Sequence, residues 1–177
     1  MKNQDLKKSA SSTARLAAVQ VLYESDLVGG AVEDILASFK EKRWSSIQEE
    51  LKSELMEVSG LVWNLPTPNR RIMAGVVRGV VKNRPELDQK IVVYMDTDGA
   101  FEQLEMIAKA ILRAAAFELL YAPQVPIGVI SSDYVSIANA FFTENQPKLI
   151  NAVIDAFANQ ARHVSSMAKH AHSCSSV

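Results

Sequence analysis

Turn-forming residues are scarce in this chain: seven glycines and six prolines in 177 residues, against about 12 % of an average protein. Sandwiches and barrels need many tight turns, so an all-β fold is excluded. The few turn residues fall in clusters, at Gly29-Gly30, Leu65-Pro66-Thr67-Pro68, Arg84-Pro85, Gly99, Pro123 to Gly128, and Pro147. Such clusters mark the joints between elements. Between them the apolar residues recur at helical spacing. The clearest run is 101–121, where Leu104, Ile107, Ala108, Ile111, Leu112, Ala115 and Leu119 follow the i, i+3, i+4, i+7 rule. Arg113 falls opposite that stripe, where solvent is expected. An all-α fold follows.

The joints divide the chain into predicted helices. One spans about 12–27 and is ended by the double glycine. Another begins at Pro68, the first helical position after Thr67 as cap. In a helix over 127–142, Ile130, Tyr134, Ile137, Ala138 and Phe141 share one buried face. Pro147 opens the last helix, whose buried side is Leu149, Ile150, Val153, Ile154, Phe157 and Ala161. Shorter helices are predicted at 31–42, 47–62 and 86–96. The joints are mostly short, which favours a bundle of antiparallel neighbours. The predicted organisation is a basic flexible arm over 1–12, one helical domain over 13–162 with an internal boundary near 84–100, and a disordered tail over 163–177.

Composition narrows the function. Hydrophobic residues make up 48 % of the chain and the formal net charge is -1, so a wholly disordered chain is excluded. That balance gives no global attraction to nucleic acid, and any such binding must rest on a local basic patch. Cys174 is the single cysteine, which leaves no disulfide framework and no thiolate metal site. The three histidines are His163, His170 and His172, so the body of the chain lacks the usual general base at neutral pH. No nucleotide, hydrolase or zinc-protease motif is present. Residues 1–12 have no apolar core of a secretory signal, and no stretch of about 18 apolar residues exists. The expectation is a cytoplasmic, non-catalytic protein without cofactor, metal or membrane span.

Two charge features remain. Residues 69–84 hold Arg70, Arg71, Arg78, Lys82 and Arg84 and no acid. On a helix, Arg71, Arg78 and Lys82 lie within about 40° of each other, opposite Ile72, Val76 and Val80. That face either meets phosphates or is solvated and paired with acids of neighbouring helices. The second feature is amino-terminal: Lys2, Lys7 and Lys8 precede a helix bearing Arg15, Gln20 and Tyr23. A tyrosine beside an amide and basic groups suits stacking of single-stranded RNA. Equally, Tyr23 and Gln20 suit a core whose polar atoms are satisfied inside the bundle. Glu118, at the edge of the 101–121 stripe, needs solvent or a cation, and a structural ion pair is expected.

The order of these pieces resembles the NusB transcription antitermination factors. Ala14-Arg15-Leu-Ala-Ala-Val-Gln20-Val-Leu-Tyr23 is similar to the family's opening helix, and Arg71-Ile-Met-Ala-Gly75-Val-Val to its mid-chain helix. Ala110-Ile-Leu-Arg113-Ala-Ala-Ala-Phe117-Glu118-Leu-Leu resembles the central helix. Val125-Pro126, Asp133-Tyr134-Val135, Ala140-Phe-Phe142, Lys148 and Ile150-Asn151-Ala-Val-Ile-Asp155 resemble the closing pair. The matches run in register from about residue 14 to 160.

The resemblance implies two small helical bundles packed across one another, with about seven helices. It implies a non-catalytic factor that binds boxA-type RNA together with ribosomal protein S10 (NusE) and so modifies RNA polymerase during transcription of ribosomal RNA operons. Members are monomers or homodimers. The RNA surface it implies is Lys7, Arg15, Gln20, Tyr23, Lys148 and Asn151, with Lys8 as an auxiliary charge. In place of the family's arginine-rich run this chain has Ser9-Ala-Ser-Ser12-Thr13, and Leu149 stands where an aromatic residue is usual. Missing arginines remove phosphate contacts and flatten the salt dependence of binding. A helical adaptor that keeps the fold without RNA binding is the alternative. A module of a ribosomal RNA methyltransferase would need a catalytic domain with a glycine-rich cofactor loop, which this sequence does not contain.

Overall fold

A computed structural model of the chain describes residues 9–39, 44–46, 49, 66–95, 99–143 and 146–173, with 163–173 as backbone only. Among the described residues every element is a helix. They group into two compact units, Met1–Arg78 and Gly79–Val177. This boundary lies before the expected 84–100 window and inside a helix.

In the first unit, Ser9 opens α1 (Ala10–Val28) by accepting the Ser12 N–H on its Oγ at 3.1 Å. Gly29 closes the helix in left-handed backbone, φ 68°, a conformation that glycine adopts without a Cβ clash. Residues 13–22 of α1 are buried on nearly every side, Gln20 excepted. The helix α2 (Val32–Ser38) packs on it and is shorter than the predicted 31–42. The predicted helix 47–62 lies outside the described residues, apart from helical backbone at position 49.

The helix α3 (Arg70–Val93) corrects two expectations. Its cap is Asn69, whose Oδ1 accepts the N–H groups of Arg71 and Ile72 at 3.0 and 3.2 Å. The side chain of Asn69 thereby satisfies two of the first-turn donors that Thr67 was expected to serve. The helix also runs through Pro85 instead of ending there. Proline removes one N–H and crowds the carbonyl four residues back. Both Pro85 and Val81, which carries that carbonyl, are exposed, so water can serve the freed oxygen. The predicted separate helix at 86–96 is the second half of α3.

In the second unit the predicted helix 101–121 is broken. A short α4 (Ala100–Gln103) is followed by extended backbone at Leu104 and Glu105, then α5 (Met106–Tyr121). The Nζ of Lys109 donates to the Glu102 carbonyl at 2.9 Å, binding the broken end. The apolar spacing is the same across a break as through a helix, so periodicity could not reveal it. The helices α6 (Ile127–Phe141) and α7 (Gln146–Ser173) pack on α5 and on each other.

Their core is Ile130, Tyr134, Ile137 and Ala138 from α6, with Ile150, Val153, Ile154, Phe157 and Ala158 from α7. Phe141, predicted to be buried, is 41 % exposed, and Phe142 takes the inner position. Leu149 and Ala161 are half-buried. The helical backbone of α7 continues to Ser173, into the stretch expected to be a disordered tail. Residues 163–173 contain no glycine or proline to stop it.

Polar groups fix the helices of this unit. Arg113, predicted to face solvent, is 8 % exposed. Its Nε and Nη2 donate to the two carboxylate oxygens of Asp88 at 2.7 and 2.8 Å, and its guanidinium lies 5.5 Å from the Phe101 ring centroid. The two-pronged pairing offsets part of the cost of taking the guanidinium out of water. Glu118, 3 % exposed, accepts the Tyr134 hydroxyl at 2.8 Å. At Gly79 a Cβ would collide with the Phe117 ring, so only glycine lets α3 approach α5 this closely.

Candidate nucleic-acid interface

The predicted RNA residues divide between the units. Lys7 and Lys8 lie outside the described residues. Arg15, Gln20 and Tyr23 lie on α1 in the first unit, and Lys148 and Asn151 lie on α7 in the second.

Arg15 corrects the expectation of a surface contact. It is 1 % exposed, among the largest fully buried side chains of the chain. The apolar run 14–22 buries α1 on almost all sides and takes Arg15 with it. Gln20 and Tyr23, one turn apart, are half-buried. The Gln20 Oε1 is buried and meets no hydrogen-bond donor among the described residues; a buried acceptor left unpaired costs about 1–3 kcal/mol. An incoming N–H or O–H would relieve that cost. Tyr23 is only half-buried, and a tyrosine within reach of solvent suits stacking.

On α7, Lys148 is exposed and Asn151 half-buried, one turn apart on a helix. The Asn151 Nδ2 donates to Asp155 Oδ2 at 3.3 Å, a long bond within the same helix. Leu149, between them in sequence, is half-buried and offers no ring.

The acid-free stretch lies on α3. Arg71, Arg78 and Lys82 are all exposed. Of the two sequence readings, pairing with a neighbouring helix holds for Arg78. Its Nε and Nη2 each donate to a carboxylate oxygen of Glu33 on α2, both at 2.7 Å. The hydrogen bond, then the charge, of Glu33 hold the Arg78 guanidinium above its already high ordinary pKa. The pair borders a groove of about 190 Å³ lined by Arg70, Leu36, Met73 and Ala74 among others. Glu33 was missed in sequence because it lies 45 residues before its partner and no local pattern links them. Among the described residues no group of three or more His, Cys, Asp or Glu is placed to hold a metal ion. No described helix is long and apolar enough to cross a membrane.

Among the described residues helices alone form the two units, with polar and basic groups carried on helix faces, and define an all-α helical protein. The chain belongs to the NusB family, whose model matches residues 12–159. It is 36 % identical over 167 residues to the transcription antitermination protein NusB of Rhizobium rhizogenes, covering 92 % of this chain and 97 % of that one. To the protein of the same name from Sinorhizobium fredii it is 40 % identical over 149 residues, covering 84 % and 86 %. Among solved structures, T. maritima NusB superposes with a TM-score of 0.63 at 23 % identity, covering 87 % of this chain and 93 % of that one. A chain from the crystal structure of antitermination factors NusB and NusE in complex with dsRNA gives 0.60 at 20 % identity, covering 84 % and 96 %. Both share the fold.

Proposed function

We propose that this chain is a transcription antitermination factor that binds boxA-type RNA together with ribosomal protein S10 (NusE), within an RNA polymerase complex on ribosomal RNA operons. The observation that carries the reading is the family match over 12–159, with relatives of 36–40 % identity named transcription antitermination proteins. A chain of the same fold comes from a complex of NusB and NusE with RNA. On this reading the protein works in the cytoplasm as a non-catalytic adaptor, monomeric or homodimeric. Its RNA contacts are Gln20 and Tyr23 on α1, Lys148 and Asn151 on α7, and Lys7 and Lys8 before α1. Arg15 is assigned a structural role inside the first unit, because it is 1 % exposed.

The polar segment Ser9 to Thr13 and the buried Arg15 favour the adaptor alternative, in which S10 binding persists without RNA binding. One experiment separates the two. Labelled boxA RNA is titrated into the protein with and without S10 across a salt series, and S10 binding is measured in parallel. Tighter binding of boxA than of a scrambled RNA supports the leading reading. S10 binding with no boxA preference at low salt supports the adaptor.

A further inference from the structure

On the basic face of α3 in the first unit, Arg78 is already held by an acid. Residues 69–84 contain none, and the partner of Arg78 arrives from α2 as Glu33. The contact is two-pronged, and a carboxylate presents its two oxygens to the guanidinium fork as a phosphate does. Both side chains remain open to water, at 59 % and 63 % exposure. An exposed pair of this kind contributes little to stability and exchanges readily. Two turns before Arg78, Arg71 is exposed on the same helix face and its guanidinium has no partner among the described residues.

We infer that this face of the first unit is an additional RNA site that takes the phosphodiester backbone, and that Glu33 is its built-in competitor. A phosphate displaces the Glu33 carboxylate from Arg78 while Arg71 engages a second phosphate along the strand. Glu33 thereby suppresses non-specific binding, since a lone phosphate must replace an existing charge-assisted contact. The adjoining groove offers a sugar the apolar surface of Leu36 and Met73. The inference rests on the reading of the chain as an RNA-binding protein and adds a site that the α1 and α7 residues do not include.

The test is a set of full-length variants titrated with single-stranded boxA RNA in the presence of S10. Glu33→Gln is expected to bind severalfold tighter at low salt, with a salt slope steeper by about 0.7 for each phosphate gained. Arg78→Ala is expected to bind more weakly, and Glu33→Gln combined with Arg78→Ala to lose the whole gain. Asp34→Asn removes the same charge from the neighbouring exposed position and is expected to leave the slope unchanged. A Glu33→Gln effect no larger than that of Asp34→Asn, or one that survives in the double variant, overturns the inference. So does a change in S10 affinity without a change in RNA affinity. Wild-type binding to boxA with no response to these variants sinks the inference alone. Failure of every variant to bind RNA sinks the parent reading with it.

Discussion

Two glycines one turn apart on α3 illustrate how a single side chain's surroundings decide the sign of a substitution. At Gly75 a Cβ would meet nothing within 4 Å, so Gly75→Ala is expected to stabilise by about 0.5–1 kcal/mol through the lower entropy of the unfolded chain. At Gly79 the Phe117 ring occupies that space, and Gly79→Ala is expected to destabilise by about 1–3 kcal/mol. Urea unfolding of both variants reads the two signs, and equal effects would contradict the close approach. Tyr121 donates its hydroxyl to Glu86 at 2.8 Å. That hydrogen bond, then desolvation and the Glu86 charge, raise the phenol above its ordinary value of 10.0. Because the folded value is the higher one, this contribution is complete below the unfolded pKa and is lost as pH rises through the folded one. Glu86→Gln is expected to bring one tyrosine's absorbance titration back to lower pH. An unchanged alkaline titration would remove the bond from the account.

At the scale of the element, α3 carries a proline that a helix interior ordinarily rejects. The surrounding packing of Leu87 and Ile91, both fully buried, and the Asp88–Arg113 pair hold its second half in place. Pro85→Ala restores the N–H and is expected to stabilise the protein by about 1–3 kcal/mol, seen as a raised melting temperature. A neutral or destabilising result would mean that the proline's fixed φ offsets the missing bond. The joints at Gly29-Gly30 and before α6 and α7 were legible because turn chemistry is local. Continuity through Pro85 and the break at Leu104 were not. In the first case buried contacts outweigh a local penalty, and in the second nothing in the apolar period changes.

Over the whole molecule, a net charge of -1 leaves little long-range attraction for RNA, and the segment before α1 adds none beyond its lysines. RNA affinity is then expected to depend on S10 and to fall only gently with salt. Arginines placed at the exposed Ala10 and the half-buried Ser11 are expected to restore a steeper response, by about 0.7 in slope per phosphate contacted. A filter-binding salt series measures it, and an unchanged slope would place the RNA away from α1. The sequence by itself determined the all-α class, most helix positions and the family, because periodicity, caps and motif order are properties of neighbours along the chain. It also placed Gln20, Tyr23, Lys148 and Asn151 on helices. Tertiary structure alone decided that Arg15 and Arg113 are buried, that Glu118 meets Tyr134, and that Arg78 is already held by Glu33. The burial of a charge depends on what packs around it, and its partner stands where folding brings it: Asp88 is 25 residues from Arg113 and Glu33 is 45 from Arg78.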